Sequence, residues 1–156
     1  MALEIERKFL VVGSPWKSLP QGALMRQGYL HASSEKVVRV RIEGDSAILT
    51  VKGAGKGAQG IVRGEWEYPI PVADADELLM LCDQPLIEKY RYRIPFESML
   101  WELDVFIGAN AGLVVAEIEL VSETQAFARP DWIGEEVTHD TRYLNANLQR
   151  HPYSAW

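Results

Sequence analysis

Leu3-Glu4-Ile5-Glu6-Arg7-Lys8-Phe9-Leu10-Val11 is the stretch that decides the fold class of this chain. Its odd positions are mostly apolar (Leu3, Ile5, Phe9, Val11), and its even positions carry Glu4, Glu6 and Lys8. Alternation with period two places the two sets on opposite faces of a β-strand, one dry and one charged. Arg7 interrupts the apolar set and is expected at the exposed edge of that face. Gly13-Ser14-Pro15 ends the strand.

The pattern returns along the 156 residues. Residues 25–31 put Gln27 and Tyr29 on one face. Residues 37–42 set Val38, Val40 and Ile42 against Arg39 and Arg41. Residues 47–52 set Leu49 and Val51 against Thr50 and Lys52, with Glu43-Gly44-Asp45 as the hairpin turn between the two. Residues 61–70 set Val62, Trp66 and Tyr68 against Arg63, Glu65 and Glu67. Residues 87–94 set Tyr90, Tyr92 and Ile94 against Lys89, Arg91 and Arg93. Residues 101–106 set Trp101, Leu103 and Val105 against Glu102 and Asp104, and residues 113–121 set Val114, Ile118 and Leu120 against Glu117 and Glu119. Helical spacing is confined to three segments. Residues 74–81 begin with acids that suit a helix dipole. Residues 122–127 have Ser122 as N-cap and stop before Pro130. Residues 141–149 space Tyr143, Leu144 and Leu148 helically. The expected fold is α+β but mostly β, one domain over residues 1–156.

The charged faces are unusual. Charges recur as same-sign pairs at i, i+2: Glu4/Glu6, Arg39/Arg41, Glu65/Glu67, Lys89/Arg91, Glu102/Asp104 and Glu117/Glu119. Two residues along a strand is about 6.5–7 Å, so these pairs repel, and a solvated face gains nothing from them. Two carboxylates gain from a divalent cation between them, and Arg-x-Arg gains from a phosphate that guanidinium grips bidentately. About eight strands can close into a barrel. Dry faces then pack outward against two to four flanking helices. Eight acids (Glu4, Glu6, Glu65, Glu67, Glu102, Asp104, Glu117, Glu119) and eight bases (Lys8, Arg39, Arg41, Lys52, Arg63, Lys89, Arg91, Arg93) would line the lumen of a closed antiparallel tunnel, balanced in sign.

Composition narrows the function. The chain is 47% hydrophobic and 24% charged, so it can fold without a disulfide or structural metal. Its 22 acids against 16 Lys and Arg leave a net charge of −6, which argues against a nucleic-acid partner. Cys82 is the only cysteine, and His31, His139 and His151 show no ligand spacing. No apolar run reaches membrane-span length, and charges occupy the N-terminus where a signal peptide needs apolar residues. The expected setting is the cytoplasm, with no membrane partner.

These motifs, in this order, resemble the CYTH domain, the triphosphate tunnel metalloenzymes, in the short bacterial type. Glu4-Ile5-Glu6-Arg7-Lys8 is similar to the family's Glu-x-Glu-x-Lys signature. It is followed by Arg39-Val40-Arg41, Thr50-Val51-Lys52-Gly53, Arg63-Gly64-Glu65-Trp66-Glu67, Lys89-Tyr90-Arg91, Glu102-Leu103-Asp104 and Glu117-Ile118-Glu119. The tail Trp132-Ile133-Gly134-Glu135-Glu136-Val137-Thr138, with Tyr143 and Asn145, extends the likeness to the whole chain. The resemblance implies an eight-stranded tunnel binding a triphosphate with Mg²⁺ or Mn²⁺. It implies Glu4, Glu6 and Glu119, with Glu117 close by, as metal ligands. It implies Lys8, Arg39, Arg41, Lys52, Arg63, Lys89 and Arg91 as phosphate holders. Glu65, Glu67, Glu102 and Asp104 would position bases, a second metal or the attacking water.

The expected activity is metal-dependent hydrolysis of inorganic tripolyphosphate to diphosphate and phosphate. Lys8, Tyr29, Glu65, Glu67 and Asp104 are the catalytic candidates, and a structural hydroxyl is the other reading of Tyr29. Class IV adenylate cyclase, thiamine or nucleoside triphosphatase, and a polyphosphate- or nucleotide-binding module are the alternatives. The expected partner is a small-molecule polyphosphate, with a homodimer as candidate assembly. Gln27 is the only Asn or Gln expected on a lumenal face, so few groups could read a base, and a tunnel open at both ends would suit a bare polyanion. Gly55-Lys56-Gly57-Ala58-Gln59-Gly60 matches Gly-x-Gly-x-x-Gly, but a strand follows it, so it reads as a hairpin loop. Cys82 reads as inert core, Trp66 and Trp101 as packing, and His31 as the one histidine with an inward place.

Overall fold

The computed structural model describes residues 1–57 and 60–156. Nine strands run in chain order: β1 (Ala2–Val11), β2 (Ala23–Ala32), β3 (Val37–Glu43), β4 (Ser46–Lys52), β5 (Val62–Ile70), β6 (Ile87–Phe96), β7 (Met99–Ile107), β8 (Val114–Glu119) and β9 (Ile133–Glu136). The sheet order is β5-β4-β3-β2-β6-β7-β8-β1-β9, and β5 also pairs with β1. That last pairing closes eight antiparallel strands into a barrel, with β9 as an added strand alongside β1. Closure removes the sheet edges and gives every strand an inner and an outer face.

The charges turn to the lumen as the alternation requires, and the buried apolar residues form three clusters, two on outer faces and a third whose Ile87, Phe106 and Val115 share strand faces with the lumenal charges. Ile5, Phe9, Trp101, Ala116, Ile118 and Leu120 pack against Phe127 and Trp132 outside β1, β7 and β8. Val40, Ile42 and Ala47 pack against Ala75, Leu79 and Cys82 on and just after α1 (Val72–Leu81). Tyr29, Ile87, Phe106, Leu113, Val115, Val137, Tyr143 and Leu148 form a third cluster. It brings in α2 (Asn145–Arg150), which lies against β2 and β6. The C-terminal segment thus crosses one end of the barrel, and the expectation of two open ends is corrected. Gly28 shows how closely α1 seats: a Cβ there would lie 2.7 Å from Cys82 Cβ.

Several expectations change. Residues 122–127 form bends and turns instead of a helix, because Phe127 is drawn into edge-on contact with Phe9 and Trp101. The helix expected over 141–149 splits into a 3-10 turn (Thr141–Tyr143) and α2. His31 is exposed: the register of β2 against β3 shifts between Tyr29 and His31, and that bulge takes it off the inner face. Trp101 is fully buried, whereas Trp66 is 37% exposed on an uncovered outer face of β5. Strand β9 was not anticipated. Of the Gly55–Gly60 loop, Ala58 and Gln59 lie outside the described residues, and Lys56 bridges Val62 as in a hairpin.

Candidate active site

A cavity of about 830 Å³ runs through the barrel. Fifteen of the sixteen charges assigned to the lumen line it. Asp104 lies behind the wall, 1% exposed, clamped by Arg91 (Nε–Oδ1 2.8 Å, Nη2–Oδ2 2.9 Å) and by Lys89 (2.7 Å). Both of its oxygens are thereby engaged. Burial lowers Lys89 to about 7, and Arg91 and Arg41 push the same way against Asp104. Burial works against the charged form of Arg91 as well, yet Asp104, Glu117 and Glu102 hold it well above its ordinary value.

Register explains the acidic side. On the β1–β8 ladder Glu6 faces Glu119 and Lys8 faces Glu117, and on β7–β8 Glu102 faces Glu117. Like charges placed opposite one another are unfavourable, and Glu6 and Glu119 both have raised proton affinity. Burial, then Glu117 and Glu4, push Glu6 up to about 8. Burial and a hydrogen bond with Glu4 push Glu65 up to about 8. Burial and Glu4 also raise Glu119. Their partners go the other way. Despite burial, Glu4 is held well below the carboxylate range by Glu65, Lys52 (2.6 Å) and Arg63 (3.1 Å). Glu117 is likewise held low by Lys8 (3.6 Å) and Arg91 (3.5 Å) against its own burial.

Basic groups occupy the facing arc. Arg39 and Arg41 of β3 lie beside Tyr29 and Gln27 of β2 in register. Arg39 Nη2 donates to Thr50 Oγ1 (3.3 Å), while its Nε is buried without a partner among the described residues. Arg39 and Arg41 both line the cavity, and guanidinium groups on a cavity wall suit anion oxygens. Arg41, lowered to about 10 by burial and by Arg39, donates through Nε to Gln27 Oε1 (2.8 Å). Lys8 Nζ donates to the Tyr143 carbonyl (3.0 Å). Glu67 and Arg93 are exposed at the rim, Glu67 within 3.4 Å of Thr50 Oγ1.

Some lining groups were not foreseen. Thr138, His139, Asn145, Asn147 and Arg150 reach the cavity from the C-terminal segment, so the amides that line it are Asn145 and Asn147, while Gln27, expected there, is fully buried behind the wall. Strand alternation cannot reveal them because none lies in a barrel strand; the Tyr143 and Asn145 tail was the one available signal. Each new amide has one end engaged. Asn145 Oδ1 accepts from Lys89 (3.0 Å) and Gln27 (3.4 Å), and Asn147 Nδ2 donates to the Thr141 carbonyl (2.7 Å).

The donor set would suit a hard divalent cation in kind: Glu6 and Glu119 carry oxygen donors, face each other in register, and among the described residues are in no ion pair. Their raised proton affinity marks negative charge that a cation would neutralise. Among the described residues no group of three or more His, Cys, Asp or Glu is arranged to hold a metal ion. Glu4 and Glu117 are engaged by the cationic side chains of Lys52 and Lys8.

The CYTH domain matches residues 2–153. A protein named inorganic triphosphatase from Acetivibrio thermocellus is 54% identical over 154 residues, 98% of this chain and 97% of that one. A second of that name, from Nitrosomonas europaea, is 40% identical over 154 residues, 93% of this chain and 95% of that one. A crystal structure of an inorganic triphosphatase superposes with a TM-score of 0.64 at 37% identity, covering 96% of this chain and 95% of that one. With barrel, charge pairs and sequence in agreement over nearly its whole length, this chain belongs to the CYTH domain family.

Proposed function

We propose that this protein hydrolyses inorganic tripolyphosphate to diphosphate and phosphate inside the tunnel, with a divalent cation, Mg²⁺ or Mn²⁺. The observation that carries the reading is the opposition, across one cavity, of a basic arc that includes Arg39 and Arg41 to carboxylates of β1 and β8, among which Glu6 is pushed up to about 8. Two relatives named inorganic triphosphatase support it. Phosphoryl transfer asks little covalent chemistry of a protein and much positioning and charge neutralisation. Arg39, Arg41, Lys8, Lys52, Arg63, Lys89 and Arg91 hold phosphate oxygens. Glu6 and Glu119, with Glu4 and Glu117 beside them, hold the cation. When bound, the cation offsets phosphate charge and favours the charge developing on the departing group.

Water activation falls to Glu65 or Glu67. Asp104 is assigned a positioning role, because its oxygens already engage Lys89 and Arg91. Glu65, at about 8, is a base matched to neutral pH. With Cys82 the only cysteine, the reducing cytoplasm is the proposed setting. Phosphate release from tripolyphosphate, ATP and thiamine triphosphate, with and without Mg²⁺, tests the reading. The expected kcat/KM for tripolyphosphate exceeds that for ATP by at least about tenfold, ~1.4 kcal/mol of transition-state binding. ATP as the better substrate, or cyclic AMP as a main product, refutes it.

A further inference from the structure

Gln27, buried, and Asn145, on the cavity wall, form an amide relay between Arg41, Tyr29 and Lys89. Gln27 is fully buried. Its Oε1 accepts from Arg41 Nε at 2.8 Å, and its Nε2 lies 3.1 Å from Tyr29 Oη and 3.4 Å from Asn145 Oδ1. Asn145 Oδ1 also accepts from Lys89 Nζ at 3.0 Å.

The polarity of this relay is forced by its ends. A guanidinium and an ammonium can only donate. Arg41 therefore requires the oxygen of Gln27 on its side, and Lys89 requires the oxygen of Asn145. The Gln27 NH₂ group is then the donor on the remaining side, and Tyr29 Oη must accept from it. A hydroxyl that accepts there keeps its own proton for another acceptor. Tyr29 lines the cavity, so that proton is available to an anion within it.

We infer that Gln27 is a positioning residue: by donating to Tyr29 Oη it directs the Tyr29 hydroxyl proton toward a phosphate oxygen in the tunnel, while fixing Arg41 through its other end. The inference rests on the triphosphate reading of the site. It assigns Tyr29 the role of hydrogen-bond donor and Gln27 the role of setting that direction. A merely structural relay would stabilise the wall without coupling to Tyr29 in turnover.

Gln27→Glu separates the two. It keeps the size and keeps an oxygen for Arg41, but replaces the donor with a second acceptor. Bonded to the Arg41 guanidinium, the new carboxylate stays ionised, and Tyr29 must turn its proton away from the tunnel to meet it. The expected result is a roughly tenfold fall in kcat for tripolyphosphate, about the worth of one hydrogen bond, with KM held within about twofold. Tyr29→Phe alone is expected to cost a similar factor. In the Gln27→Glu background it should cost less than about twofold more, because the donor has already been withdrawn.

If Gln27→Glu fails to fold by circular dichroism, Gln27→Met serves instead: it leaves the Tyr29 hydroxyl unaimed without taking its proton, so kcat should fall by a smaller factor, Tyr29→Phe should cost less there than in the unaltered protein, and KM should rise because Arg41 is released. Independent, multiplying losses, or a Gln27→Glu enzyme with unchanged kcat, overturn the inference while leaving the function in place. No phosphate release from the unaltered protein overturns the functional reading, and this inference with it.

Discussion

Lys89, Arg91 and Asp104 on β6 and β7 lie beside Glu6, Glu117 and Glu119 on β1 and β8, and the two groups handle buried charge in opposite ways. In the first, every charge faces an opposite one at 2.7–2.9 Å, with Glu102 and Glu117 adding to the hold on Arg91. In the second, register sets acid against acid, and Glu6 stays neutral near pH 7 by holding a proton. A closed network serves the fold. An acid seam that keeps its protons is a site waiting for a counter-charge, which is where a cation adds most.

Breaking the closed network should have the largest effect. Asp104→Asn leaves Lys89 and Arg91 buried without their carboxylate, and urea unfolding should show a loss of about 3–5 kcal/mol. A loss under about 1 kcal/mol would mean the two cations find other partners.

Glu6→Gln probes the seam in the opposite sense. The amide mimics the protonated acid, so the unfolding midpoint should barely move, while phosphate release at limiting Mg²⁺ should fall by more than about 100-fold, beyond the usual cost of a group that only supports a ligand. Turnover near that of the unaltered protein would remove Glu6 from the cation site.

Filling the site should erase the contrast between the regions. Mg²⁺ with a slowly cleaved tripolyphosphate analogue, at a hundredfold excess over Kd, should stabilise the protein by about 2.7 kcal/mol. An equal, small shift with sulfate alone would show only general anion binding.

A smaller effect concerns pH. Glu6 and Glu65 titrate at about 8 in the fold against an ordinary 4.5, so the native state keeps protons the unfolded chain has released. Their stabilising contribution is full below pH 4.5 and is lost as pH rises toward 8. Lys89, lowered to about 7, acts with the opposite sign from pH 7 upward, which makes pH 5–7 the clean window. The apo protein should lose stability across that window, and saturating Mg²⁺ should flatten the loss. A midpoint that rises from pH 5 to 7 without cation contradicts the proton-holding seam.

The smallest effect is expected at the rim. Arg93, whose side chain is 43% exposed, pairs with Glu43 at 2.9 Å. Arg93→Ala should cost less than about 1 kcal/mol by the same urea measurement, since solvent screens such pairs.

Much of the tunnel was legible because strand geometry is local. Side chains alternate with period two whatever the strand packs against, so Glu4, Glu6 and Lys8 had to share a face, as did Arg39 with Arg41 and Glu117 with Glu119. Segments whose conformation depends on distant partners were not legible. Residues 122–127 have a helix-like start, yet Phe127 is taken up by Phe9 and Trp101. Asn145 enters the tunnel only because Leu148 and Tyr143 seat α2 against the barrel end.

What the amino-acid order determined by itself was the inventory of the tunnel: fifteen of sixteen assigned charges line the cavity, and the last stands directly behind it. Tertiary structure alone decided which of them oppose each other. Nothing local makes Glu6 face Glu119 while Glu117 faces Lys8, or seals Asp104 between Lys89 and Arg91. Those pairings follow from the stagger at which eight strands close, a property of the whole barrel. Because charge–charge energies depend on distance and burial, that stagger separates the carboxylates that hold the fold together from those that keep a proton.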